Sequence, residues 1–173
     1  MTDQTVQNTA DDTPRVPEHA QLVDEQMVRW HFIMALVFFF ASVAGGFLVA
    51  FQLIRHNPFS GIEYLSPGRW RMIHTNAIAY GFLANAFLGV LHWVVPRLTL
   101  RPVLDRRLSL LIFGAWQFVV GATAVGLILG QAQGLEWGET PVWIDPLAQL
   151  GLLLVAINFM APIVKQEGPI YVT

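Results

Sequence analysis

Four apolar stretches, each about 20 residues or longer, leave this chain few folds to adopt. They cover residues 30–54, 72–95, 108–130 and 146–164. A helix needs about 20 apolar residues to cross the roughly 30 Å hydrocarbon core of a bilayer. Lipid cannot satisfy backbone polar groups, and no period-two alternation indicates a β-barrel. The sequence therefore predicts an all-α membrane protein with four transmembrane helices.

The composition agrees with a membrane protein and restricts its chemistry. Of the residues, 54% are hydrophobic and 13% are charged, and this charged fraction is about half of that in soluble domains. The chain has no cysteine, which excludes disulfides, thiolate metal sites, iron–sulfur clusters and covalently attached c-type haem. Neither the net charge of −2 nor any lysine or arginine run indicates a nucleic-acid partner. Any cofactor must be held by histidine, carboxylate or backbone groups.

The charges predict two regions and an orientation in the membrane. Residues 1–29 form a polar, acidic tail without the basic start of a signal peptide, and residues 30–173 form the transmembrane segment. Arg97, Arg101, Arg106 and Arg107 crowd the second connection, whereas residues 131–145 contain no lysine or arginine. By the positive-inside rule, the second connection and the N-terminus are cytoplasmic. The first and third connections then lie on the outer side.

His74 is an ionisable residue inside an apolar helix, in the stretch GRWRMIHTNAIAYGFLANAF (residues 68–87). At 100° per residue it shares a face with Gly81, Asn85 and Gly89. These small residues allow close approach either of a neighbouring helix or of a flat macrocycle, and the spacing fits both. A neutral imidazole about one turn inside the outer interface is a good axial ligand for haem iron.

Arg69 and Arg71 precede this histidine by about one turn. In a haem site they would lie where propionates emerge toward water and could pair with them. The alternative is an interfacial histidine beside arginines that bind lipid phosphate groups.

Other polar residues carry weaker signals. Glu136 and Glu139, in the third connection, supply hard oxygen ligands of the kind that Ca²⁺ prefers, although a solvated acidic loop is the commoner explanation of such residues. Gln117 and Asn158 lie inside apolar helices, which predicts interhelical hydrogen bonds. His31 and His92 are expected near the cytoplasmic ends of their helices.

Two stretches resemble a known family. GRWRMIHTNA resembles the second transmembrane helix of the catalytic subunit of haem-copper oxidases, closest to the cbb3 type, which carries G-R-x-R-x-x-H-T-N-A there. The stretch QGLEWGETPVWIDP and the helix that follows it, up to KQEGPIYV, are similar to a later part of the same subunit. The resemblance covers about residues 62–173 and suggests the N-terminal portion of that subunit.

The resemblance implies specific roles for residues of the site. His74 would be one axial ligand of the low-spin haem b, and Arg71 would bind a haem propionate, with Arg69 a second candidate. Glu136 would help to ligate a structural Ca²⁺, with Glu139 close by.

The resemblance also implies the activity of a respiratory terminal oxidase: cytochrome c oxidation, reduction of O₂ to water and proton pumping in the bacterial inner membrane. Its partners would be other oxidase subunits, including membrane-anchored c-type cytochromes. In the family, the copper ligands and the ligand of the high-spin haem lie on helices beyond the fourth. The chain is therefore expected to be a fragment or one piece of a split subunit, and to be inactive toward O₂ by itself.

Two alternatives remain. A nitric oxide reductase large subunit shares the haem-ligand helix but differs in its active-site metal. A freestanding four-helix membrane cytochrome b would carry haem without catalysis, and it would need a second histidine ligand from within these helices.

Overall fold

The computed structural model describes residues 22–135 and 137–166, and this part of the chain is all-helical. Its helices are α1 (Glu25–Ala50), α2 (Pro67–Asn76), α3 (Ala84–Thr99), α4 (Arg106–Ile128) and α5 (Asp145–Val164). A π-helical segment, Ala77–Leu83, joins α2 to α3, and a 3₁₀ turn, Phe51–Ile54, extends α1. The described residues thus contain four rods long and apolar enough to cross a membrane. The predicted four-helix membrane fold is confirmed.

All four rods begin earlier than the apolar stretches that predicted them, and α1 and α2 do so by five residues. Helix α1 starts at Glu25, because the Asp24 carboxylate accepts hydrogen bonds from the backbone N–H groups of Gln26 and Met27 at 3.1 and 3.2 Å. Helix α2 starts at Pro67, whose fixed φ suits a first helical turn. These first turns are polar, so hydrophobicity alone does not detect them.

The helices pack mainly as two groups, α1 with α2 and α3, and α4 with α5. Helix α1 runs along α2, the π-helical segment and α3, and α4 packs against α5. Helix α2 also contacts α4, and α3 contacts α5. The buried cluster between α3, α4 and α5 consists of Leu88, Val95, Trp116, Val120 and Phe159. We call the end with the connection 100–105 the arginine end, and the end with the connections 55–66 and 129–144 the loop end.

Polar side chains join the helices inside the bundle. Gln117 Nε2 donates to Asn85 Oδ1 at 2.8 Å, which links α4 to α3. Asn158 Nδ2 donates to Ser109 Oγ at 3.0 Å, which links α5 to α4. The interhelical hydrogen bonds predicted for Gln117 and Asn158 are confirmed.

Helix α1 covers the small-residue face of the second rod. A Cβ atom added at Gly81 would lie 2.6 Å from Cγ of Phe38, and one at Gly89 would lie 3.3 Å from Cβ of His31. Both glycines therefore let α1 approach closely. Of the two explanations that the spacing allowed, helix packing accounts for these glycines.

Candidate functional site

His74 lies on α2 with its imidazole against α1. Its Nδ1 is 2.8 Å from the backbone carbonyl oxygen of Ser42, and the Ser42 hydroxyl donates to the carbonyl of His74 at 3.1 Å. Because a carbonyl oxygen only accepts, Nδ1 carries the proton and donates it to Ser42. In the neutral ring, Nε2 then holds the free lone pair. An imidazole tied through one nitrogen and open at the other is the usual arrangement of a metal-ligating histidine.

Two glycines on α1 make room for this ring. A Cβ atom at Gly46 would lie 2.6 Å from Cε1 of His74 and 3.0 Å from its Nδ1. A Cβ atom at Gly45 would lie 3.7 Å from Cβ of His74 and 3.8 Å from the Trp70 ring. Any side chain at position 46 would therefore displace the imidazole. The ring orientation is set jointly by the Ser42 carbonyl and the bare backbone at Gly46.

His74 lines a cavity of about 590 Å³ between the helices at the loop end. This volume lies within the range of small-molecule and cofactor pockets. The walls are mainly apolar and aromatic, and they include Phe38, Trp70, Tyr80, Trp116, Val120 and Leu127. The described residues contain no cluster of three or more His, Cys, Asp or Glu side chains that could hold a bare metal ion. A macrocycle that brings its own four nitrogen ligands needs only axial imidazoles, so the residues present fit haem.

The two arginines before His74 have different surroundings. Arg69 Nη1 donates to the carbonyl oxygen of Ile128 at 2.5 Å, and its Nη2 forms an ion pair with Glu63 at 2.7 Å. Arg69 therefore binds the carbonyl of the last residue of α4, where a cation is favourable. Arg71 is solvent-exposed at the same end of the bundle. The propionate contacts predicted for both arginines stay predictions.

Glu139 comes from the third connection and contacts α2, the helix that carries His74. Its side chain is buried, and its Oε2 accepts a hydrogen bond from Asn76 Nδ2 at 3.0 Å. Asn76 follows His74 by two residues on α2, and its Nδ2 also donates to the carbonyl of Met72. Glu139 is thus hydrogen-bonded to the helix that carries His74, and the Ca²⁺ role predicted for it stays a prediction. Glu136, the other residue of the predicted Ca²⁺ site, lies outside the described residues.

A network of hydrogen bonds holds this connection in place. Asp145 accepts from Gln133 Nε2 at 2.7 Å and from the Thr140 hydroxyl at 2.5 Å. The Tyr80 hydroxyl, on the π-helical segment, donates to the carbonyl of Trp137. Gln133, Thr140 and Trp137 all line the cavity. The described residues of this connection therefore form part of the cavity wall. The sequence predicted either two Ca²⁺ ligands or a solvated loop here, and not a wall of a cavity.

Sequence reasoning missed the contribution of α1 to the site. Ser42, Gly45 and Gly46 form an S-x-x-G-G run in an otherwise large and apolar helix. The run was a usable signal, because small residues in apolar helices commonly mark close contacts. The hydrogen bond to the Ser42 backbone carbonyl has no sequence signal at all, since every residue offers a carbonyl oxygen.

The fold and the site together define a class: a multi-pass membrane protein with an oriented imidazole at the wall of a cofactor-sized cavity. The family model for cytochrome c and quinol oxidase polypeptide I matches residues 26–173. The chain therefore belongs to this family, and the predicted relationship to haem-copper oxidase subunit I is confirmed at the family level.

Individual relatives show how far the similarity extends. Cytochrome c oxidase subunit 1 of Rhodobacter capsulatus is 30% identical over 139 residues, which are 79% of this chain and 26% of the relative. The cbb3-type cytochrome c oxidase subunit of Stutzerimonas stutzeri is 28% identical over 144 residues, 82% of this chain and 30% of the relative. A cytochrome c oxidase subunit 1 homolog of Agrobacterium tumefaciens is 27% identical over 140 residues, 79% of this chain and 25% of the relative. The chain spans between a quarter and a third of these relatives.

Proposed function

We propose that this chain supplies His74 as one axial ligand of a low-spin haem b in the catalytic subunit of a respiratory terminal oxidase. One observation carries the proposal: His74, held through Nδ1 by Ser42 and in close contact with Gly46, lines a cavity of about 590 Å³. Family membership supports an oxidase subunit. The assignment to the cbb3 type is also a proposal, because relatives that are not named as cbb3-type match this chain at similar identity.

Each part of the site has a role in this proposal. When bound, haem would supply reversible one-electron transfer. Ser42 holds the tautomer that leaves Nε2 of His74 free to bind iron, and the hydrogen bond to its carbonyl makes the imidazole more basic. The apolar and aromatic walls exclude water from the cavity. The exposed guanidinium of Arg71 at the loop end is available to a propionate, whereas Arg69 is engaged with Ile128 and Glu63.

The complete enzyme would oxidise cytochrome c, reduce O₂ to water and pump protons. Membrane-anchored c-type cytochrome subunits would deliver the electrons to the haem held by His74. Copper and the high-spin haem would be bound by helices of the complete subunit that follow these four in the family. The inactivity of the isolated chain toward O₂ stays a prediction.

Replacing the proposed ligand tests the proposal. In the assembled oxidase, His74→Ala should remove the low-spin haem b signal from the reduced-minus-oxidised absorption spectrum, because the iron loses an axial nitrogen. His56→Ala is the matched control, since His56 is an exposed histidine of the first connection. A full low-spin haem b signal in His74→Ala would contradict the proposal.

The freestanding cytochrome b alternative needs a second histidine ligand, and two of the described histidines are too far from His74 to supply it. His31 precedes Ser42 by eleven residues on α1, so it lies about 16 Å farther along the helix than the group that holds His74. His92 stacks on His31, and His56 lies in the first connection. Two nitrogens on one iron must be only a few ångströms apart, so neither His31 nor His92 can share it with His74. His56 is the described histidine that this alternative would have to use.

The nitric oxide reductase alternative differs in metal content and not in this part of the site. Metal analysis of the purified complex distinguishes the two enzymes, because copper indicates the oxidase and non-haem iron the reductase. The relatives reported above are named as oxidases, which favours the oxidase.

We also propose that Glu139, with Glu136, helps to bind a Ca²⁺ ion beside the haem propionates. A buried carboxylate at 8% exposure is costly without compensating charge or hydrogen bonds, and the contact with Asn76 supplies only one neutral donor. A cation would provide the missing compensation.

Glu139→Gln tests this second role by removing the charge while keeping the size of the side chain. The calcium content of the purified complex should fall from the wild-type value, because a neutral amide is a weaker ligand than a carboxylate. Glu63→Gln is the matched control, since Glu63 is an exposed glutamate of the same end with 80% of its side chain accessible. Equal calcium in both variants would show that Glu139 is not a ligand.

A further inference from the structure

A second cluster of polar groups lies in the half of the bundle nearest the arginine end, away from the His74 cavity. His31 on α1 and His92 on α3 are fully buried at 0% and 1% exposure. Their rings stack with centroids 5.2 Å apart and an interplanar angle of 30°. The proposed electron-transfer function uses neither residue. Two buried imidazoles in contact inside an apolar bundle need a physical account.

The proton position on His31 follows from its neighbour Asn85. Asn85 Nδ2 donates to the backbone carbonyl of Gly81 at 2.7 Å, which fixes the orientation of the amide because a carbonyl cannot donate. Asn85 Oδ1 therefore faces Nδ1 of His31 at 3.1 Å. An amide oxygen only accepts, so Nδ1 of His31 carries the proton. In the neutral ring, Nε2 of His31 is then an acceptor.

The proton position on His92 follows from a backbone carbonyl. Its Nδ1 is 2.9 Å from the backbone carbonyl oxygen of Leu88 on the same helix. The carbonyl can only accept, so Nδ1 carries the proton and Nε2 is again an acceptor. Both Nε2 atoms are buried and have no hydrogen-bond partner among the described residues. Two acceptors cannot satisfy each other, so the pair requires a donor.

We propose that His31 and His92 together bind a buried water molecule, whose two O–H groups donate to the two Nε2 atoms. Buried waters typically make about three hydrogen bonds to polar groups that the protein leaves unsatisfied. One water provides the two donors that this pair of acceptors lacks. The bound water would also extend the chain of hydrogen bonds from His31 through Asn85 to Gln117, which spans α1, α3 and α4.

The surroundings favour a neutral ligand over a cation. The His31 ring lies edge-on to Phe113 at 5.0 Å, and the His92 ring lies edge-on to Phe159 at 4.8 Å. Asp24, at the start of α1, caps that helix and pairs with Arg106 at 2.9 Å, so its charge is already compensated. A metal ion or a proton on the pair would place a charge among aromatic side chains. Water adds two donors and no charge.

Solid-state NMR of the ¹⁵N-histidine-labelled chain in lipid bilayers tests the proposal. The measurement separates protonated from bare ring nitrogens and detects magnetisation transferred to them from water protons. We expect Nε2 of both His31 and His92 to be bare and to receive transfer from slowly exchanging water. Loss of signals in His31→Phe and His92→Phe assigns the resonances, and His56→Asn, in the first connection, should leave them unchanged.

A variant at the second histidine gives a further test of the bound water. In His92→Phe, transfer from water to Nε2 of His31 should fall by about half or more, because the water loses one of its two acceptors. Bare nitrogens without water transfer in the wild-type chain would overturn the proposal. So would protonation of both nitrogens on one ring, which indicates a bound proton, or an Nε2 shift reversed by a chelator, which indicates a metal ion. The wild-type measurement decides the matter even if a variant fails to fold.

Discussion

The imidazole of His74 is positioned by the backbone of another helix. Its Nδ1–H group donates to the Ser42 carbonyl, and its ring occupies the space that the missing side chain of Gly46 leaves. A histidine held in this way loses little freedom when it binds a ligand, because its orientation is already set. Site geometry at the residue scale therefore depends as much on α1 as on α2, the helix that carries His74.

A methyl group at position 46 should disturb the site. In Gly46→Ala the new Cβ would lie 2.6 Å from Cε1 of His74, which real Cβ atoms do not tolerate. The ring must turn away or the helices must separate, so we expect a lower haem b content per complex and a shifted midpoint potential. Haem quantification and a redox titration provide the measurement.

Gly114→Ala is the matched control for this substitution. Gly114 is also a glycine inside a transmembrane helix, and a Cβ atom there meets nothing within 4 Å. The control should keep its haem and gain a little helix stability. If the two variants retain haem equally, the close contact with His74 has no functional weight.

At the scale of elements, the loop end is held together by a long-range helix cap. Arg69 reaches from the start of α2 to the last carbonyl of α4 and is 15% exposed in its side chain. Gly130, at φ +80°, turns the chain just beyond this point, and a Cβ atom there would lie 2.8 Å from Arg69 Nη2. The tight turn and the arginine are therefore matched to one another.

Arg69→Ala should lower stability more than it changes the haem. Hydrogen bonds to charged groups contribute about 1.5–3 kcal/mol, and a part of this should be lost with the guanidinium. We expect a lower thermal unfolding midpoint in detergent for Arg69→Ala. Arg71→Ala, whose side chain is exposed, should leave the midpoint near wild type and weaken haem retention. The reverse pattern would exchange the roles assigned to the two arginines.

The elements also divide into what sequence could and could not predict. Apolar length predicted four helices, because the cost of bare backbone in lipid allows no other spanning structure for such stretches. It missed the first turns of α1 and α2, which are polar and stabilised by Asp24 and Pro67. The contact between Glu139 and Asn76 joins residues 63 positions apart. No local pattern encodes such a contact, because it depends on how the whole helices pack.

The two buried histidines, His31 and His92, show the same limit of prediction from sequence. The sequence predicts His31 and His92 near their helix ends, but the helices extend beyond the apolar stretches, and the two residues lie six residues inside α1 and seven inside α3. Their stacking on each other, and their contact with Asn85, require the close approach of the two helices at Gly89. Periodicity places a residue on a face but does not name the partner across it.

At the scale of the whole molecule, four rods present much apolar surface to their surroundings. Leu36, Phe40, Val43 and Phe47 on α1 are each more than half exposed. Such a surface is normal in contact with lipid or with further helices and unfavourable in water. The predicted orientation, with the arginine end in the cytoplasm, follows from charge and not from packing.

Cysteine labelling tests this orientation without background from these 173 residues, which contain no cysteine. Ser60→Cys lies in the exposed first connection and Leu104→Cys in the exposed second connection. In intact spheroplasts, a membrane-impermeant maleimide should label position 60 and spare position 104. Disrupted membranes, which expose both sides, provide the control. Labelling of position 104 alone in intact spheroplasts would show that the topology is the reverse of the predicted one.

The hydrogen bond from His74 to the Ser42 carbonyl predicts how positions 42 and 46 should vary during evolution. The acceptor belongs to the main chain, so nearly every codon at position 42 encodes it equally well. The acceptor for Nδ1 therefore puts no restriction on the side chain at position 42. Ser42→Ala would remove the buried hydroxyl, which donates to the His74 carbonyl and lies 3.1 Å from Nδ1. Purifying selection should act instead on position 46, where only glycine has no side chain to collide with the ring. The most restricted site on α1 is thus a residue that makes no polar contact with the histidine it positions.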